Sequence, residues 1–261
     1  MNTKARPSLI VVALMAAAIA GCATNTARPQ ADSTENDPLE PLNRKVYAFN
    51  QGLDDYAIGP ASRAWTAVTP NALREGVSNF FDNLAYPGVL VNDLLQAKFG
   101  YAAQDTMRFA VNSTLGLAGF FDPASSMGLQ SRAEDFGQTL GYWGTASGPY
   151  LEVPVFGPSS ARDVTRYPMG YYTNVITYVA LDTATLGGLT AINVVNTRAE
   201  LDGAVRLRNE AALDPYAFTR STYRQYRRNQ VYDGNPPETE DPYAEMFESL
   251  DAPADSTELS E

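Results

Sequence analysis

The sequence predicts an all-α fold. Apolar residues recur at helical spacing through most of residues 37–232, and Gly and Pro cut that stretch into short lengths. Only residues 149–158 alternate as a strand does.

The elements follow in order. In residues 42–56, Leu42, Val46, Phe49, Leu53 and Tyr56 fall at a helix period. Pro60 and Pro70 bracket a short second segment around Trp65. A third helix, residues 72–83, follows Asn71 and carries Leu73, Val77, Phe80, Phe81 and Leu84 on or near one face. Residues 89–99 and 102–115 make two more; in the latter, Met107, Phe109, Ala110 and Val111 supply apolar surface and Arg108 interrupts it. Residues 116–148 hold most of the remaining Gly. Their run from Asp135 to Gly144 is poor in charge and rich in aromatics, and its glycines are not spaced to cradle a dinucleotide. Close packing or a turn is the simpler use of these glycines. Leu151, Val153 and Val155 alternate as in an extended stretch or one leg of a hairpin.

Residues 175–195 contain Asp182 as their one charge, together with Gly187, Gly188 and several Thr. A transmembrane helix would be more apolar and less broken. A buried pair of core helices and an interfacial pair touching lipid both fit. Residues 197–213 place Leu201, Val205 and Ala212 on one side of a helix. Residues 218–232 carry Tyr223, Tyr226, Arg220, Arg224, Arg227 and Arg228, a face suited to lipid phosphates, to an acidic partner, or to plain solvation.

The two ends read differently. Residues 1–21 have a basic start (Lys4, Arg6) and a twelve-residue apolar run over 9–20, shorter than the roughly 20 residues of a permanent span. The run closes on Ile19-Ala20-Gly21-Cys22, which resembles a lipoprotein cleavage site and makes the lone Cys22 an acylated anchor. Residues 22–36 form a polar tether, and 233–261 an acidic, disordered tail with ten acids and no base. Residues 37–232 form the helical domain.

Of 261 residues, 19 are basic, 30 acidic and none is His. No His-based triad or His-ligated metal site is available, and one Cys makes neither a disulfide nor a zinc cluster. The net charge of -11 argues against nucleic acid. Removing residues 1–21 takes away Lys4 and Arg6 and no acid, leaving 17 bases against 30 acids, net -13; residues 37–232 hold 16 bases and 18 acids. The pairs Asp54-Asp55 and Glu134-Asp135 are adjacent, so they do not face each other across a substrate. Helix caps and ion pairs with Arg44, Arg108 or Arg162 are the simpler use of Asp37, Asp54, Glu134 and Asp135.

Several blocks, taken together, resemble the MlaA/VacJ family of outer-membrane lipoproteins. They begin with Asp37-Pro38-Leu39-Glu40-Pro41-Leu42-Asn43-Arg44 and Phe49-Asn50, then Asn79-Phe80-Phe81 with Asn83-Leu84 and Pro87. Leu94-Leu95-Gln96-Ala97-Lys98 follows, with Ala97 where the family has Gly, then Arg108-Phe109 and Asn112-Ser113-Thr114. The longest block runs from Glu134-Asp135-Phe136-Gly137 to Gly141, continued by Gly148-Pro149-Tyr150, Gly157-Pro158-Ser159 and Arg162-Asp163.

The resemblance implies a ring-like bundle of amphipathic helices in the inner leaflet of the outer membrane, with a central channel for phospholipid. It implies association with a trimeric porin and delivery to the periplasmic lipid carrier MlaC, with no cofactor, no metal and no enzymatic step. Ala23 after the Cys implies, by the same resemblance, sorting to the outer membrane. A structural envelope lipoprotein without transport activity is the alternative. Gly137, Gly141, Gly144 and Gly148 are candidates to line or gate the path. Asn79, Phe80 and Phe81 are candidates for a packed hinge, and Tyr142 and Trp143 for the headgroup level. Asp37, Pro38, Asn43, Arg44, Asn50, Arg108, Glu134, Asp135, Arg162 and Asp163 are structural candidates.

Overall fold

In a computed structural model of the chain, residues 37–179 and 182–237 are described. Cys22, residues 1–36 and most of the acidic tail lie outside them. Helices dominate: α1 Glu40–Leu53, α2 Gly59–Val68, α3 Asn71–Leu95, α4 Phe99–Thr114, α5 Pro123–Ser126, α6 Phe136–Tyr142, α7 Arg166–Thr173, α8 Ile176–Val179, α9 Thr183–Glu200, α10 Asp202–Ala211 and α11 Pro215–Val231. A single hairpin pairs β1 Tyr150–Val153 with β2 Gly157–Ser160, antiparallel, with Tyr150 opposite Ser160 and Glu152 opposite Pro158.

Two expected breaks are absent. Pro60 does not separate two helices, because a π-turn over Asp54–Ile58 links α1 to α2 and the Gly59 N–H donates five residues back to the Asp54 carbonyl. Pro87 lies inside α3, so the helices expected over 72–83 and 89–99 are one 25-residue helix. Pro87 removes a single N–H, and the flanking turns hold against α4 and α7. At the end of α3, Ala97 adopts φ 57° and the Lys98 N–H donates to the Asp93 carbonyl at 2.9 Å, a left-handed cap. The Gly expected by resemblance at this position would meet that φ without cost.

Packing runs in a closed circuit. The π-turn leads into α2, α2 packs on α9, α9 on α3, α3 on α7, and α7 on α6. From there α6 packs on α11, α11 on β2, β2 pairs with β1, and β1 returns to α1. One side chain pins three of these helices: Asn196 of α9 accepts from the Trp65 indole at 2.8 Å and donates to the Arg74 carbonyl and the Ser78 hydroxyl.

The circuit is inverted in polarity. Among the described residues, the largest fully buried side chains are Tyr150, Gln96, Asn43, Asn196, Thr139, Asp93, Asp105 and Asp163. The buried apolar cluster is small, three tyrosines (Tyr150, Tyr216, Tyr223) with Tyr47 against them. Meanwhile Leu42, Phe49 and Tyr56 of the first apolar stripe are exposed, and the buried residue of α1 is Asn43. On α4, Met107 is exposed and Arg108, the apparent interruption, is buried. The segment over 175–195 is not a buried core pair: no described residue of α8, nor of α9 before Asn196, is buried. No helix among the described residues is long and apolar enough to cross a membrane.

Candidate functional site

Three polar clusters hold the circuit together. In the first, Asn43 donates to Asp37 at 3.1 Å and to the Tyr150 carbonyl at 3.0 Å, and accepts from the Glu152 N–H at 3.0 Å. Asn50, two turns later on the same face, bridges Glu152 Oε1 (3.0 Å) and the Val155 N–H (2.8 Å). These two amides dock α1 onto the hairpin. Asp37 also accepts from the Tyr216 hydroxyl and from Arg220 of α11. Pro38 forms the turn before α1, and Arg44 pairs at the surface with Glu40 and Asp214.

The second cluster centres on Asp163, which is fully buried. It accepts from Tyr223 at 2.8 Å, Arg162 at 2.9 Å and Arg227 at 3.0 Å. Arg227 also grips Asp135 with both ends of its fork, at 2.7 and 2.9 Å, while Asp135 caps α6 through the Gln138 N–H. Burial alone would raise the Asp163 carboxyl; hydrogen bonds and charge from Arg227, then Arg162, hold it far below the usual carboxylate range. Hence Arg227, expected on an outward basic face, is an internal cation, 3% exposed. Of the ion pairs expected for the acids, Asp37 takes Arg220, Asp54 takes Arg198, Asp135 takes Arg227 and Glu134 takes Lys98, rather than Arg44, Arg108 or Arg162. Arg108 instead pairs with Asp122.

The third cluster adjoins two open cavities. Gln96 donates to Glu134 (2.8 Å) and Thr139 (3.1 Å), and Thr139 donates to Asn92 (2.7 Å). Arg132 donates to Asp105 at 3.1 Å, and Tyr86 donates to the other Asp105 oxygen at 3.1 Å. Beside them Asp93 is fully buried, and neither of its oxygens has a hydrogen-bond partner.

The smaller cavity, about 360 Å³, lies between α3, residues 131–135 and α7; Asp82, Asn92, Arg166 and Asn174 give its polar wall, and Ala85 and Val89 its apolar wall. The larger, about 700 Å³, lies between α4, residues 128–134 and the end of α11. Arg132, Ala133 and Glu134 line both, so this short segment is their common partition. Asp82 is exposed to solvent, yet crowding by protein pushes its carboxyl up, as does the charge of Glu200.

Of the residues singled out from the sequence, Glu134 and Asp135 line these cavities. Gly137 is a packing position, where a Cβ would sit 2.7 Å from Asp163 and 2.8 Å from Arg227. At Gly141 it would sit 2.8 Å from Arg162 and 2.9 Å from Val231, so a larger residue there disturbs the α6–α11 contact before it touches any path. Gly144 and Gly148 have positive φ, 88° and 69°. Phe80 and Phe81 meet edge to face within α3, 5.4 Å between centroids, with Asn79 half-buried beside them. Tyr142 and Trp143 are exposed; Lys98 lies over the Tyr142 ring, and the Trp143 indole donates to the Leu95 carbonyl. Sequence reasoning missed Asp82, Asn92, Asp93, Asp105, Arg132 and Arg166. Only Asp93 left a trace, as a lone charge within Gly88-Val89-Leu90-Val91-Asn92-Asp93-Leu94-Leu95.

A helical circuit with large apolar side chains outside and polar ones inside has the build of a membrane-seated protein rather than of a water-facing globule. The comparisons agree with that class. The profile of the family described as MlaA lipoprotein matches residues 35–230, and the chain belongs to that family. It is 33% identical over 224 residues to the intermembrane phospholipid transport system lipoprotein MlaA of Escherichia coli K12, covering 83% of this chain and 86% of that one. It is 31% identical to the Haemophilus influenzae protein of the same description, over 90% of this chain and 93% of that one. A solved structure from work on the maintenance of bacterial outer membrane lipid asymmetry superposes with a TM-score of 0.66 at 30% identity, covering 77% of this chain and all of that one.

Proposed function

We propose that this chain carries phospholipids from the outer leaflet of the outer membrane, through an amphipathic passage inside the helical circuit, to the soluble periplasmic carrier MlaC. In this reading it sits in the inner leaflet, anchored by acylated Cys22, beside a trimeric porin. The observation that carries the reading is the inverted polarity. Lipid tails favour the outward Leu42, Phe49, Tyr172 and Tyr178, whereas a headgroup needs the polar inner wall. A headgroup crosses hydrocarbon only at high cost, so a polar-walled path with apolar access lowers the barrier without making or breaking a bond. Direction follows from where the lipid starts and which acceptor removes it. Residues 132–134 separate the two cavities, and a displacement of that segment would join them into one path.

Ala85 tests this directly, because it is exposed, lines the smaller cavity and takes no part in the polar clusters. Ala85→Trp should lower phospholipid transfer from porin-containing vesicles to the carrier about tenfold or more, with unchanged melting temperature. Transfer at the unsubstituted rate would refute the path. A wild-type protein that transfers nothing would favour the structural lipoprotein instead.

A further inference from the structure

We propose that Arg166 is a phosphate-binding station on the wall of the smaller cavity, where it holds the phosphodiester of a phospholipid headgroup in transit. This rests on the transport reading and adds the residue at which the headgroup pauses. The other cation on that wall is neutralised, Arg132 by Asp105, and so are two of the acids, Glu134 by Lys98 and Asp135 by Arg227. Arg166 is not: it has no ion pair with any carboxylate among the described residues. Asp82 stands towards the far end of the same wall, where the Val175 N–H bonds the Leu84 carbonyl, about two helical turns from Arg166.

The guanidinium is fixed without being used up. Its Nη2 donates to the Pro158 carbonyl at 3.2 Å and the Tyr167 hydroxyl at 2.9 Å. Its carbon lies 4.9 Å from the Tyr167 ring centre and 6.0 Å from that of Tyr223. Nε and Nη1 make no hydrogen bond to the protein and are not sealed from solvent. The unused Nε–H and Nη1–H groups point to different sides of the guanidinium, so each offers one charge-assisted hydrogen bond to a phosphate oxygen, and the aromatic faces hold the cation in place for it. Thr173 and Asn174 add polar groups further along the same wall. The cavity volume, about 360 Å³, lies at the lower end of the range for small-ligand sites, room for a headgroup with the acyl chains left on the apolar side.

Gly170 supplies the test. It lies one turn beyond Arg166 on the same helical face, lines the cavity, and a Cβ there meets nothing within 4 Å. The full-length acylated protein is purified in mild detergent, reloaded from phosphatidylethanolamine vesicles, and its bound lipid phosphorus measured per chain. R166Q, and G170E through an intrahelical pair with Arg166, should each retain at least fivefold less lipid than the wild type. R166Q/G170K, which restores a cation one turn away, should recover to within twofold. If R166Q fails to fold, G170E decides, since it keeps Arg166 and all its contacts. Wild-type retention in folded R166Q or in G170E overturns the inference. Displacement of bound lipid by millimolar inorganic phosphate overturns the lipid assignment in favour of a free-phosphate site. A wild-type protein that holds no phospholipid overturns the transport reading and this inference with it.

Discussion

Arg227→Ala should lower the unfolding free energy by about 3–5 kcal/mol, the usual cost of removing one partner from a buried ion pair. The cation serves two carboxylates at once, and one of them, Asp163, has no access to water. Urea unfolding in detergent, followed by tryptophan fluorescence, measures the loss; a change under about 1 kcal/mol would show that Arg162 alone satisfies Asp163. The same pairing sets an acid limb. The folded carboxyl of Asp163 titrates below its ordinary value of 3.8, so its contribution is complete above that pH and fades as pH falls further. In Arg227→Ala that limb should shift to higher pH and flatten.

Asp93→Asn should do the reverse, stabilising the protein at pH 8 by about 2–4 kcal/mol and changing it little at pH 4. Burial, then the neighbouring Asp105 and the charge of Glu134, push the Asp93 carboxyl from 3.8 up to about 7, against the pull of Arg132. Between those values the folded chain keeps a proton that the unfolded chain has released. Stability therefore falls as pH rises from about 4 to 7 and is level above it. An amide of the same shape removes the ionisation and with it the repulsion from Asp105 and Glu134. Equal stability of the two proteins at pH 8 would refute the strained carboxyl. At pH 8 the ionised form would also compete with Asp105 for Arg132, which belongs to the partition between the cavities.

Helix content was legible from periodicity, because a repeat near 3.6 residues survives whichever way the helix faces. The facing itself was not. An apolar stripe such as Leu42, Phe49 and Tyr56 marks a helix equally well when it points to lipid as when it points to a core. The reliable inward markers were polar: Asn43, Asn50, Arg108, Asp135 and Asp163 all stood out as motif positions, and all are buried or engaged in the clusters. Their partners were invisible, since Asn43 meets Tyr150 across 107 residues and Arg227 meets Asp163 across 64. Pro87 misled for a local reason: a proline ends a helix that nothing else supports, whereas α3 is braced along both sides. The wall residues Asp82 and Arg166 carry no signal of their own, because a cavity is a property of the closed circuit and not of any one segment.

The polar clusters also set an order of events. Among the described residues, the cation that reaches Asp37, and the Arg227 that binds both Asp135 and Asp163, come from α11, the last described helix, along with the hydroxyls of Tyr216 and Tyr223. A chain made from its N-terminus delivers the three acids before these partners on α11. Without α11 the circuit lacks the link from α6 to β2 and stays open. α11 thus acts as a clasp: in a chain folding from its N-terminus, the circuit closes only when this helix arrives.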